Sequence, residues 1–131
     1  MKHLGTLLIK ISSVYFVIGV SIGYYMSTSH QYTLTGVHVH INLLGWTALT
    51  LIGIIYVLFP ELTTRKSARI HFWLHNLGLP LMMISLAVML LTGNMNSNPL
   101  IIGTAVGGTL VLLGVLFFAF NILVNLKRKD A

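Results

Sequence analysis

Apolar residues fill this chain in four long runs, roughly Gly5–Met26, Val37–Phe59, Ile70–Thr92 and Leu100–Leu126. Each is long enough to cross a hydrocarbon layer ~30 Å thick as a helix, which takes about 20 residues. No water reaches the backbone in that layer, so such runs must satisfy their own amides and carbonyls as helices. The pattern predicts an all-α, integral membrane four-helix bundle, with residues 1–131 forming a single four-helix transmembrane domain. The helices are expected at about 5–26, 37–59, 70–92 and 100–126, with short connections that leave no room for a soluble domain. Pro60 should close the second helix, and Asn98-Pro99 forms a cap and first-position pair for the fourth. Pro80 falls inside the third, where a missing donor and a crowded Asn76 carbonyl predict a kink. The first run is long for a signal peptide. It ends in Tyr24-Tyr25-Met26 rather than a small-residue cleavage site, so it reads as a retained helix.

Composition agrees: of 131 residues, 56% are hydrophobic and only 8% charged, which excludes an ordinary soluble domain. The formal charge of +6 raises the question of nucleic acid, and its placement answers against it. Lys2 and Lys10 flank the first run, Arg65, Lys66 and Arg69 sit between the second and third, and Lys127, Arg128 and Lys129 follow the fourth. The connections Ser27–Gly36 and Gly93–Pro99 carry no Lys or Arg. The positive-inside rule then predicts both termini and the central loop on the cytoplasmic side, in a multi-pass protein of the cell's inner (cytoplasmic) membrane. Membrane lipids are the expected partners, with the basic loop and tail touching anionic heads. Cysteine is absent, which excludes disulfides, thiolate ligands and a Cys-x-x-Cys-His attachment of c-type haem. Glu61 and Asp130 are the two carboxylates. Neither is mid-membrane, so no proton or cation relay is apparent and a transporter is disfavoured. Gly19 and Gly23, and likewise Gly103 and Gly107, are spaced for close helix approach and are candidates for a subunit interface.

Histidine carries the chemistry. An ionisable residue inside a membrane is costly enough that a functional role is its default reading. His3 lies in the amino-terminal segment and needs no special account, and His30 lies in the outer connection. His38 and His40 open the second helix two residues apart. By the 3.6-residue period they point to opposite faces and cannot chelate one ion from a regular helix. His40 is followed at helical spacing by Leu43, Leu44 and Thr47, a floor for a flat apolar cofactor. His71 and His75, at i and i+4, share a face at the start of the third helix. That spacing can hold a metal if other ligands come from elsewhere. The more economical reading makes His71 interfacial, near Arg69 and Trp73, and His75 a hydrogen-bonded polar residue beside Asn76. His40 and His75 are expected to differ in depth by roughly 15 Å, too far to share one ion.

The segment His40-Ile-Asn42-Leu43-Leu44, continuing through Trp46 to Tyr56-Val-Leu-Phe-Pro60-Glu61, resembles the second transmembrane helix of subunit I of the haem–copper oxidases, closest to the nitric oxide reductase branch. His71-Phe72-Trp73-Leu74 followed by Gly78 resembles the eleventh helix of that subunit. The resemblance implies haem b as cofactor, with its iron on His40. His38 or His30 of the same chain, or another copy's His40, would supply the other side. Leu44, Trp46 and Thr47 would line the pocket with His38 and His40, and His71 and His75 are weaker metal candidates. The family's subunit is larger, arranged as arcs of helices around a pseudo-threefold axis. A four-helix chain reads as one arc, which implies a homo-oligomer, a trimer if the arcs are copies. The adjacent His-His pair of the family's copper site is missing here, so no complete catalytic centre is expected in one chain and enzyme activity stays open. The function implied is electron transfer or gas-ligand binding with a respiratory-chain partner. The alternative is a non-catalytic accessory or assembly subunit of an oxidase, or a metal- or haem-handling protein.

Overall fold

A computed structural model of the chain describes residues 3–127; Lys2, Arg128, Lys129 and Asp130 lie outside the described residues. Four helices are long and apolar enough to cross a membrane: α1 (Leu4–Ser29), α2 (Thr35–Leu58), α3 (Lys66–Thr92) and α4 (Asn98–Asn125). Among the described residues every regular element is helical. The chain is a multi-pass, all-α membrane protein.

Local chemistry sets the ends. α1 stops where His30 turns left-handed, at φ 53°, and α3 stops at Gly93, at φ 66°. A glycine there satisfies the helix end without a Cβ penalty. Pro60 opens a short 3₁₀ turn, Pro60–Thr64, instead of extending α2. Pro99 sits in the first turn of α4, where its missing N–H is not needed. α3 runs through Pro80 without a break.

Helices pack on their sequence neighbours. α1 lies along α2 and α4 along α3; the two hairpins meet through α2 and α3. Among the described residues the backbones of α1 and α4 do not approach one another. The bundle expected from sequence is therefore an open row, with α2 and α3 more buried than the outer α1 and α4.

Glycine explains why the hairpins close tightly. A Cβ built on Gly5 would lie 2.6 Å from the Gly53 carbonyl oxygen, and one on Gly78 would lie 2.7 Å from that of Gly107. Gly19 and Gly23 face Asn42 and His38 of α2, while Gly103 and Gly107 face Ser85 and Met82 of α3. Both candidate interface pairs thus serve packing inside one chain. Two apolar clusters complete the interior. One gathers Leu4, Leu8, Leu49, Ile52, Tyr56, Leu62, Ala68 and Phe72; the other gathers Val37, Ile41, Leu79, Met82, Met83 and Val111.

One feature departs from regular geometry. From Ile41 to Ala48, directly after His40, α2 is π-helical for eight residues. Wide turns of this kind are rare and concentrate at functional sites.

Candidate functional site

His38 and His40 point in different directions from the second turn of α2. The His38 ring enters the seam with α1, its Nδ1 2.8 Å from the Gly19 carbonyl oxygen. A carbonyl can only accept, so Nδ1 carries the proton and Nε2 keeps its lone pair. Asn42 Nδ2 is 3.2 Å from the same nitrogen. Two donors cannot share that line, so the Asn42 amide donates instead to the His38 carbonyl, at 2.9 Å. Gly23 makes room for the ring: a Cβ there would come within 2.7 Å of His38 Cε1.

His40 is exposed. Its Nδ1 donates to the Gly36 carbonyl at 2.7 Å, one turn back, which leaves Nε2 as a free donor of electrons on the outer face. Leu43 and Thr47 are exposed as well. The other expected lining residues go elsewhere. The Leu44 side chain packs against the Val37–Met83 cluster. Trp46 stacks on Phe16 of α1, ring centroids 4.4 Å apart and 26° from parallel. Both lie within the π-helical stretch. His30 is the exposed, left-handed terminator of α1. Among the described residues no three His, Cys, Asp or Glu side chains gather as a metal site, so His30, His38 and His40 do not converge in one chain.

A second constellation lies inside. His71 and His75 are both fully buried, with ring centroids 5.4 Å apart. The reading of His71 as interfacial is corrected, because α3 turns that face inward against Tyr56 of α2 and Phe118 of α4. His75 Nε2 lies 3.1 Å from the Leu44 carbonyl oxygen and donates to it, across to the π-helical stretch. Its Nδ1 and both nitrogens of His71 have no hydrogen-bond partner in the protein. Asn76 Nδ2 donates to the Phe72 carbonyl rather than to His75. Asn121, also fully buried, anchors α4 by donating to the Leu62 carbonyl at 3.2 Å.

The hydrogen bond to Leu44 also revises a depth. Leu44 follows His40 by four residues, ~6 Å along a helix at 1.5 Å per residue. His75 is therefore about one turn below His40, much nearer than the expected 15 Å. What separates them is direction: His40 faces out and His75 faces in.

Four lipid-length apolar helices carrying histidines on both an open and a buried face make this a multi-pass membrane protein with imidazoles on α2 and α3. It is similar to part of subunit I of the haem–copper oxidases. The chain is 32% identical over 131 residues to a cytochrome c oxidase subunit 1 homolog of Azorhizobium caulinodans, and 28% identical over 132 residues to cytochrome c oxidase subunit 1 of Rhodobacter capsulatus. Both alignments cover 79% of this chain and 24% of the relative, so the chain spans about a quarter of the length of the curated relatives it matches. No family model and no solved structure matches it.

Proposed function

We propose that this chain binds haem b at His40, at a boundary between copies of itself, and serves electron transfer or gas-ligand binding. The observation that carries the reading is the His40 ring. The Gly36 carbonyl fixes its tautomer and orientation, and Nε2 is left free on an uncovered apolar face. Metal-ligating histidines are oriented by this kind of second hydrogen bond, so the donor fits an iron ligand. The similarity to subunit 1 of cytochrome c oxidase supports the same cofactor class.

Haem held there would supply a one-electron iron couple whose potential follows axial ligation and burial. The chain's own part is positional. Gly36 aims the imidazole, Leu43 and Thr47 give a floor, and the surrounding aliphatic surface excludes water. A single chain offers a floor and no cover. A facing copy would provide the second wall, which favours a homo-oligomer. His38 is the reserve donor, its Nε2 turned into the α1–α2 seam. The distribution of Lys and Arg supports cytoplasmic termini in the inner membrane, with His40 near the opposite surface.

Oxidised and dithionite-reduced visible spectra of protein purified in mild detergent, with pyridine extraction to count haem, test the reading. Close to one b-type haem per chain is expected, lost in His40→Ala and kept in His30→Ala. If protein expressed with added haem shows no Soret band and instead co-purifies with an oxidase, the accessory-subunit reading replaces this one.

A further inference from the structure

The far end of the row, away from His40, carries a feature that the haem reading does not use. Where α3 begins and α4 ends, a cleft of about 360 Å³ opens between Arg65, Lys66 and Ser67 on one side and Phe117, Phe120 and Val124 on the other. Its upper rim is cationic. Arg65 and Lys66 are exposed and no carboxylate pairs with them among the described residues. α3 starts at Lys66 with no side-chain cap; the Ala68 amide donates back to the Arg65 carbonyl at 3.2 Å, and the two amides before it lack helix partners and favour an anion.

The second observation is Ser67. It is 8% exposed, lines the cleft, and its hydroxyl makes no hydrogen bond within the protein. Side-chain hydroxyls of buried residues are normally paired; this one is unpaired but not sealed off, and Ser67 shares the cleft lining with the two cations and the aromatic wall. The third is continuity. Phe117 and Phe120 also line a neighbouring groove of about 320 Å³ that runs on along α4 past Leu116 to Leu113. A polar head site thus leads directly into an apolar channel along a membrane-spanning helix.

We propose that this cleft binds one anionic phospholipid, its phosphate held by Arg65, Lys66 and the Ser67 hydroxyl and one acyl chain laid along Phe117, Phe120 and Leu113. The charge selects an anionic head; the groove selects a long chain over a free phosphate. The inference rests on the membrane placement of the helices and not on haem, so either can fail without the other.

Native mass spectrometry of the full chain, exposed in mild detergent to equal amounts of phosphatidylglycerol and phosphatidylcholine, reads the site. Retention of one phosphatidylglycerol per chain is expected, at about tenfold preference, given two cations near the surface. The Arg65→Ala/Lys66→Ala variant should fall to the phosphatidylcholine level. Ser67→Ala removes no charge and no protein hydrogen bond, so it should fold normally, and it should lose retention about threefold. Lys127→Ala, an exposed cation outside the cleft, should behave as the parent. Equal retention of the two lipids would overturn the proposal. So would equal effects of Ser67→Ala and Lys127→Ala, which would mean diffuse charge attraction. Displacement of the lipid by millimolar inorganic phosphate, or equal retention of dihexanoyl phosphatidylglycerol, would reduce the site to a phosphate site and overturn the acyl-chain assignment.

Discussion

Two buried imidazoles one turn apart are held by different means, and their substitution should separate them. His75 supplies the donor for the Leu44 carbonyl. Replacing it with leucine leaves that carbonyl unmet inside the protein, at a cost of about 1–3 kcal/mol. His71 makes no protein hydrogen bond at either nitrogen and sits among Tyr56, Phe118 and His75. His71→Leu is expected to stay within ~1 kcal/mol of the parent or exceed it, because an unmet polar group is exchanged for an apolar one. Thermal unfolding in detergent distinguishes the two; equal losses would mean that His71 has a partner outside the protein. The i, i+4 spacing placed both rings on one face, and that was legible. Whether the face looked toward headgroups or inward was not, because an interfacial and a buried histidine share the same spacing. The neighbours that decide, Tyr56 and Phe118, are far away in sequence.

Within the hairpins, glycine sets how near two helices can come. A Cβ on Gly107 would collide with the backbone of Met82, whereas one on Gly108 would touch only the flexible Met82 sulfur, at 3.3 Å. Gly107→Ala should therefore lower stability by about 2 kcal/mol or more, and Gly108→Ala by less than about 0.5 kcal/mol, in the same detergent unfolding measurement. Spacing identified glycines suited to close approach. It could not say whether the approaching helix belonged to the same chain, since both arrangements need the same small residues. The spans themselves were plain, because length and apolarity alone decide them. The π-helical register of Ile41–Ala48 was hidden for a related reason: over eight largely apolar residues, hydrophobic periodicity does not distinguish a 3.6-residue turn from a wider one. The partners of Leu44 and Trp46, an inner apolar cluster and Phe16 of α1, were equally out of reach, because Phe16 and most of that cluster lie far away in sequence.

As a whole molecule, an open row has two outer helices each packed on one side only and two distinct ends. The ends can be assigned directly, since the chain has no cysteine. Lys127→Cys and Met95→Cys, labelled with a membrane-impermeant maleimide on intact cells and on inverted vesicles, should react from opposite sides: position 95 from outside, position 127 from the cytoplasmic face. Labelling of both from one side would exclude the four-span topology. The π-helical stretch acts at this scale too. Each residue withdrawn from or restored to α-register turns everything before it by ~100° about the helix axis. The bond from His75 reaches into that stretch at Leu44, and the register there bears on the compass bearing of the turns carrying His38 and His40. A histidine that cannot reach the outer face thus touches the very stretch on which the direction of that face depends.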